Sequence, residues 1–312
     1  MDINVLLPIA QTAIEDGLAY SLTVLALYLS YSMLNVCDLS TDSCFTLGAF
    51  VGITVACNGH PYLSILVAMG AGIMSGVVTA ILQTYMGIDS LLAGIVVNTG
   101  LYSIILAITN NVNNVTAFRK ATVFTKVKEA LKGTSLYPYS KLIVLAVFVM
   151  LAIIFLCFFL KTRLGLAIRA TGNNPAMVKS SSINPAIITI IGLGISNALT
   201  ALSGCLYCQG DSTADINVGV GAVTVCLASL LIGQTFFGKK SIPTRAIGCV
   251  IGAIIFRIVY AIALRCDVPT YMLRLISSVI VIIFIFVPYF AKKVPLIKRK
   301  LSIRKKGANI NA

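Results

Sequence analysis

The chain has 312 residues, of which 58% are hydrophobic and 11% are charged, and its mean hydropathy is +0.96. Soluble domains carry about 25% charged residues, so this composition excludes a soluble globular protein and indicates a membrane protein. The net charge of +14 is concentrated in the polar segments between apolar stretches and in the C-terminal tail.

The apolar stretches predict an all-α polytopic membrane protein. A helix that crosses a bilayer needs about 20 apolar residues, and the chain offers about nine such spans, or roughly eight to ten. In chain order they cover 17–37, 40–57, 62–86, 88–109, 139–160, 185–209, 218–237, 244–264 and 270–290. The spans 40–57 and 218–237 are short and rich in small residues, so whether they cross fully stays open. We therefore expect one transmembrane domain over 1–291 and a basic tail over 292–312.

The distribution of Lys and Arg predicts the orientation. Most of the 24 basic residues lie in the segment 161–184, just before the eighth span at 239–245, and in the tail. Because basic residues favour the cytoplasmic side, we expect the N-terminus outside and the C-terminus inside. The acidic residues Asp2, Glu15 and Asp16 would then lie in an outer N-terminal segment.

Two basic segments need separate comment. The segment 110–138 opposes this orientation, because it would place several basic residues outside: Arg119, Lys120, Lys126, Lys128 and Lys132. We expect a short outer helix near 126–132. The tail predicts contact with anionic membrane lipid; no soluble domain accompanies it, so nucleic-acid binding is not expected.

The two halves of the chain share a weak pattern. Asp38 precedes a short Gly/Ala-rich span, and Asp215 precedes another. Each is followed by a span with two glycines four residues apart: Gly72 and Gly76, then Gly248 and Gly252. The pattern fits an inverted repeat with a binding or gating site at its interface. It fits equally well a set of close helix contacts through small residues.

Catalytic motifs are missing from the sequence. It holds no H-E-x-x-H, no G-x-S-x-G and no cluster of metal ligands, so we expect no enzyme activity, no cofactor, no catalytic residue and no metal site. Polar residues within membrane spans are costly and often mark a transport path. The candidates for translocation or gating are Asp38, Asp42, Asn98, Asn197, Gln209, Asp215, Asn217 and Arg257. Arg257 either pairs with Asp211 or Asp215 to hold helices together, or meets a substrate carboxylate.

The segment 161–184 is the most distinctive polar feature. It is basic, interrupted by Gly and Pro, and lies between two long apolar spans. A transporter that does not hydrolyse ATP itself needs such a surface to receive work from a soluble partner.

Five stretches of the sequence carry a family resemblance. In order they read DLSTDSCFTLGAF at 38–50, GIDSLLAGIVVNTGLYSIIL at 87–106, TRLGLAIRATGNNPAM at 162–177, GLGISNALTALSG at 192–204 and ADINVGVG at 214–221. Together they resemble the permeases of bacterial ATP-binding-cassette (ABC) importers related to the branched-chain amino acid permeases, in the tryptophan/tyrosine-type uptake branch.

This resemblance implies a multi-pass subunit of the bacterial cytoplasmic membrane that translocates a small solute, expected to be an amino acid. It implies three partners: a cytoplasmic ATP-binding subunit, an extracytoplasmic solute-binding protein and a second permease copy. It also implies a coupling helix that docks into the ATPase, here formed by Arg169, Gly172, Asn173, Asn174, Pro175, Ala176 and Met177.

An ion-coupled secondary transporter is the alternative interpretation. Such a transporter needs carboxylates deep within its spans to carry protons or sodium. In this sequence the acidic candidates lie at the ends of predicted spans, which favours the ABC importer.

Overall fold

Alpha-helices form most of the computed structural model, which describes residues 3–118, 120–133, 137–237, 241–264, 272, 275, 277–283 and 286. The helices of the first half are α1 (Ile3–Leu27), α2 (Thr41–Cys57), α3 (Pro61–Thr84), α4 (Ser90–Ile108), α5 (Val123–Ala130) and α6 (Ser140–Phe159). Those of the second half are α7 (Arg163–Asn173), α8 (Pro175–Ser180), α9 (Pro185–Asp211), α10 (Ala222–Phe237) and α11 (Ile242–Leu264). A π-helix, Tyr28–Met33, extends α1, and a 3-10 turn, Tyr137–Tyr139, precedes α6.

Five helices are long and apolar enough to cross a membrane: α3, α4, α6 with its preceding turn, α9 and α11. The helices α2 and α10 are apolar but shorter, with 17 and 16 residues. The prediction of a helical polytopic membrane protein is confirmed. Of the nine predicted spans, the described residues show five of full membrane length and two short ones.

The first predicted span, 17–37, overlaps a longer helical stretch, formed by α1 (Ile3–Leu27) and the π-helix Tyr28–Met33. Helix α1 already begins at Ile3 and runs through Glu15 and Asp16, which we had expected in an outer segment. The Glu15 carboxylate accepts a hydrogen bond from Gln11 Nε2 at 3.0 Å and lies 3.9 Å from Lys141 Nζ. These partners compensate the buried charge of Glu15 within the helix.

Several other helix ends follow from local sequence. Proline occupies the first turn of α3 and of α9, where its missing N–H has no intrahelical partner to lose. The Asp89 side chain accepts the backbone N–H of Leu91 at 2.9 Å and caps α4. These ends lie within a few residues of the predicted ones.

Helix α9 lies at the centre of the molecule. In the most apolar stretch of α9, 72% of the residues are buried, against 28–33% in the corresponding stretches of the other four long helices. A side-chain atom added at Gly48 of α2 would collide with the carbonyl of Ala201, and one at Gly72 of α3 with the carbonyl of Asn197. Backbones therefore touch directly, as is typical of membrane helices, which gain little from hydrophobic burial against one another.

The second half uses the same kind of contact. Gly233 of α10 faces the Gly248 carbonyl of α11, and Gly252 faces the Ser229 carbonyl. The small-residue contacts predicted at the paired glycines are confirmed here and in the first half. Around Gly192 and Gly194 the space is wider, since the atoms nearest to an added Cβ lie at 3.2 and 3.8 Å.

The two ends of α9 carry different structures. Near its C-terminus, strand β1 (Asn114–Thr116) pairs antiparallel with strand β2 (Thr213–Asp215), with Asn114 opposite Asp215. This small sheet was not predicted, because each strand has only three residues. The helix expected near 126–132 is α5, which begins earlier. The helices α7 and α8 lie at the other end of α9.

Some predictions fall outside the described residues. These are the basic tail 292–312, residues 239–240 and most of the ninth span 270–290. Within that span, residues 277–283 are helical.

Candidate translocation core and coupling segment

A buried polar network joins the start of α2 to the middle of α9. Asp38 is 1% exposed and lies in the turn between the π-helix and α2. Its Oδ1 accepts the Ser40 N–H at 2.8 Å, and its Oδ2 accepts Asn197 Nδ2 at 3.0 Å. Thr79 of α3 donates to Ser40 Oγ at 3.3 Å and connects a third helix. Thus two predicted candidates, Asp38 and Asn197, do lie together, and their polar groups link three helices.

Asp42 connects the two short apolar helices. It lies in the first turn of α2, and its carboxylate accepts the N–H of Gly221 at 3.1 Å and of Val223 at 2.7 Å. These two N–H groups belong to the start of α10, where a negative charge is stabilising. Asp42 therefore caps a helix 180 residues away in the chain, and the N-termini of α2 and α10 lie side by side.

Asn98 performs a similar structural task between α4 and α2. Its Oδ1 accepts the Ser43 N–H at 3.1 Å, and its backbone carbonyl accepts the Ser43 hydroxyl at 2.9 Å. The first contact satisfies an N–H in the first turn of α2, where N–H groups lack partners within the helix, and the second joins the Ser43 side chain to α4.

Gln209 lies apart from this network, near the C-terminal end of α9. The side chain is fully buried, donates to Ser64 Oγ at 2.7 Å and accepts the Val123 N–H at 3.2 Å. Gln209 thereby caps α5 and links it to α3. Asp215 and Asn217 are exposed, and Asp215 Oδ1 accepts the Asn217 N–H at 2.8 Å. These three candidates are not brought together with Asp38.

The predicted ion pair of Arg257 with Asp211 or Asp215 is wrong. Asp211 instead accepts a hydrogen bond from Lys141 Nζ at 2.8 Å. The guanidinium carbon of Arg257 stands 3.7 Å from the ring centroid of Tyr20 and 5.7 Å from that of Tyr260. A cation over an aromatic face is attracted by the ring quadrupole, so an aromatic side chain replaces the expected carboxylate.

Tyr20 is itself held by other rings. It stacks on Phe45 with centroids 5.2 Å apart and meets Tyr207 edge-on at 5.1 Å. Such pairs add to the hydrophobic contribution of burial. The support under Arg257 thus comes from α1, α2 and α9 together.

Arg257 also borders two cavities. One, of about 580 Å³, lies between α1 and α11 and is lined by Ile9, Thr12, Ala13, Asp16, Arg257, Tyr260, Ala261 and Leu264. The other, of about 160 Å³, reaches the start of α10 at Gly221. Sequence reasoning missed Asp16, Tyr20 and Tyr260 here. The signal was the spacing Asp16–Tyr20, which puts both side chains on one face of a helix.

The predicted coupling segment folds into the two short helices α7 and α8. Thr162 caps α7 by accepting the Gly165 N–H at 3.3 Å. Asn174 ends α7 and caps α8, since its Oδ1 accepts the Met177 N–H at 3.1 Å. Pro175 then occupies the first position of α8, so the local sequence fixes the bend between the helices.

The predicted docking residues do not all face outward. Five of them are exposed: Asn173, Asn174, Pro175, Ala176 and Met177; Arg169 is half-buried. Gly172 faces inward, and an added Cβ would collide with the Met33 carbonyl and the Leu34 backbone. Gly172 is thus a packing contact between α7 and the end of the π-helix, and its role in docking stays a prediction.

Comparison with known proteins identifies the family. The model of the family described as "Branched-chain amino acid transport system / permease component" matches residues 10–286. The chain belongs to this family. It is therefore the permease component of an ABC import system and a multi-pass membrane protein. ATP is hydrolysed by a separate subunit of that system. The family implies a complex with an ATPase and a binding protein, as the resemblance predicted.

Individual relatives agree with this family. The chain is 32% identical over 275 residues to the tyrosine transport system permease protein of Clostridioides difficile (strain R20291), covering 88% of this chain and 89% of that one. It is 30% identical to an uncharacterized protein of Rickettsia prowazekii (strain Madrid E), covering 87% and 95%. It is 22% identical to the fructose import permease protein FruF of Bifidobacterium longum (strain NCC 2705), covering 96% and 83%. No solved structure matches the chain.

Proposed function

We propose that this permease translocates an amino acid that an extracytoplasmic binding protein delivers to it. The permease family takes its description from amino acid transport, and the tyrosine permease is similar over nearly the whole length of both chains. The fructose permease is more distant, at 22% identity. These similarities favour an amino acid over a sugar.

The observation that carries the ATP-driven mechanism is the exposed tip of the coupling segment. Residues 173–177 protrude at one end of α9, with Asn174 and Pro175 fixing the turn between α7 and α8. The tip combines the polar Asn173 and Asn174 with Pro175, Ala176 and Met177, and Met177 is 54% exposed. This geometry suits docking into a groove of the ATPase. The tip would then belong to a coupling loop over 161–184, within a transmembrane domain over 1–291.

The proposed arrangement in the membrane has the N-terminus outside and the C-terminus inside. The coupling segment and the β1–β2 sheet lie at opposite ends of α9, which supports placing them on opposite sides. The adjacent N-termini of α2 and α10 support an inverted repeat whose two short helices meet within the bilayer. A second permease copy would complete the pathway, and each protomer would dock one ATPase.

A co-purification experiment tests the coupling. The tagged permease is co-expressed with its ATPase, purified in mild detergent and assayed for associated ATP hydrolysis. Met177→Asp should abolish both co-purification and amino acid uptake while the permease still inserts normally. Val112, which is 48% exposed at the opposite end of the molecule, provides the control Val112→Asp. Equal co-purification of both variants would contradict the proposed docking surface.

The energy source is tested by uptake. Uptake of labelled amino acids should stop when the ATPase carries an inactive nucleotide site and should persist when a protonophore collapses the ion gradient under maintained ATP. The reverse result would establish the ion-coupled alternative.

A further inference from the structure

The cavity between α1 and α11 has one wall from each helix. Its α1 residues are Ile9, Thr12, Ala13 and Asp16; its α11 residues are Arg257, Tyr260, Ala261 and Leu264. Both sets follow the spacing i, i+3, i+4, i+7, which describes a single face of a helix. The cavity is therefore enclosed by two facing helical stripes.

Each wall holds one charge of opposite sign. Asp16 supplies a carboxylate on α1, and Arg257 supplies a guanidinium on α11. Within the described residues, no carboxylate oxygen lies within 4.0 Å of the Arg257 nitrogens, since the ion pairs found there join Lys141 to Glu15 and to Asp211. Charged groups within a membrane protein are costly unless they are paired, so two opposite charges facing one cavity invite a ligand between them.

The position of Arg257 is fixed while one of its donors, Nε, stays unused. Its guanidinium stacks at 3.7 Å over Tyr20, and that ring is fixed in turn by Phe45 and Tyr207. Its Nε is buried and has no hydrogen-bond partner in the described part of the chain. A planar guanidinium with donors along its edge is suited to bidentate binding of a carboxylate.

Apart from Thr12, the remaining wall of the cavity is apolar or aromatic. Tyr260 lies one turn after Arg257 and borders both this cavity and the 160 Å³ cavity that leads to the start of α10. A volume of about 580 Å³ lies within the range of small-molecule sites. The cavity thus combines an anion site, a cation site and an apolar surface.

We infer that this cavity binds the zwitterionic backbone of an amino acid, with the carboxylate at Arg257, the ammonium at Asp16 and the side chain along Tyr260. The inference rests on the proposed amino acid function and names the site on the permease where the solute is recognised. The zwitterionic headgroup of phosphatidylethanolamine has the same pair of charges, so the experiment must separate the two ligands.

Binding to the full-length permease tests the site. The protein is placed in nanodiscs of phosphatidylglycerol, and bound tritiated L-tyrosine is displaced by tyramine, which lacks the carboxylate, or by 3-(4-hydroxyphenyl)propionate, which lacks the ammonium. Both analogues should bind at least about tenfold more weakly than L-tyrosine, because each loses a charge-assisted contact.

The variants should change selectivity in opposite ways. Arg257→Gln should lower the affinity for L-tyrosine to the affinity of the wild type for tyramine. Asp16→Asn should lower it to the affinity of the wild type for the propionate. Arg257→Lys should retain part of the preference for L-tyrosine over tyramine. Glu15→Gln is the matched control, because Glu15 neighbours Asp16 but pairs with Lys141. It should leave selectivity unchanged even where it lowers stability.

Three results would overturn the inference: no binding by the wild type, equal affinity for L-tyrosine and both analogues, or unchanged selectivity in both variants. The cavity would be assigned to a lipid headgroup by two results together: L-tyrosine binding is lost when phosphatidylethanolamine replaces phosphatidylglycerol, and neither analogue displaces bound L-tyrosine. Amino acid uptake by the complete importer is measured in parallel. If the wild type takes up amino acids normally and the variants keep its selectivity, this site alone is refuted. If the wild type takes up no amino acid, the proposed function is refuted.

Discussion

The carboxylate of Asp42, in the first turn of α2, accepts the backbone N–H of Val223, in the first turn of α10, at 2.7 Å. Both helices thus direct their partially positive N-termini at one acidic side chain. A single residue therefore holds together the two short apolar helices that the sequence pattern had paired.

Removing this carboxylate should loosen α10. We expect Asp42→Ala to lower the free energy of unfolding by about 1–2 kcal/mol, the usual cost of a lost helix cap. Asp42→Asn, which keeps an acceptor, should lose less. Thermal unfolding of the purified protein in detergent measures the effect. Asp215→Ala is the control at an exposed acidic position, and an equal loss in both would contradict the cap.

The α3–α9 contact should tolerate no side chain at Gly72. Gly72→Val would force a Cβ into the Asn197 carbonyl, and overpacking of this kind costs about 1–3 kcal/mol. Gly70 lies on the same helix with no heavy atom within 4 Å of an added Cβ, so Gly70→Val is the matched control. We expect a monodisperse peak in size-exclusion chromatography only for the control; equal behaviour of the two would refute the close approach.

Gln209 should contribute to stability and not to solute selectivity. Gln209→Leu leaves the Val123 N–H without its acceptor, whereas the Ser64 hydroxyl still donates to the Pro61 carbonyl. A buried unsatisfied group costs about 1–3 kcal/mol. The melting temperature should fall, while the ratio of uptake rates for two amino acids stays at its wild-type value. A changed ratio of uptake rates would indicate that Gln209 lies on the translocation path.

Gly172→Asp should act on folding before it acts on coupling. The new side chain would meet the Met33 carbonyl and the Leu34 backbone, so the yield of folded permease should drop. Asn173→Asp places the same side chain on the exposed neighbour and should leave the yield unchanged. The comparison uses fluorescence-detected chromatography of the membrane extract, and a normal yield of Gly172→Asp would contradict the close backbone contact at Gly172.

Local sequence predicted most of the helices, and residues distant in the chain decided the rest. The bounds of α3, α4 and α9 follow from apolar length, proline and a capping Asp89. The start of α1 does not, because the buried Glu15 is compensated by Lys141, which lies 126 positions away along the chain. No local pattern carries that information.

The candidate site, like the helices, was predictable from local sequence only in part. Polar residues inside spans were recognised, and Asp38 and Asn197 do meet. Their hydrogen-bond partners, however, lie on other helices, as the bond from Asn197 to Asp38 across 159 positions shows. Whether such a residue links helices or faces a cavity depends on the tertiary arrangement, so Gln209 was selected and Asp16 was missed.

The glycine contacts restrict how the permease moves. Where a backbone carbonyl of α9 touches a glycine of α2 or α3, sliding by one residue would drive a larger side chain into that carbonyl, and close-packed interiors do not deform gradually. The helices α2, α3 and α9 must therefore travel as one rigid body during a transport cycle. We expect the displacement that opens the pathway to fall at the borders of this body, where α1 and α10 meet it.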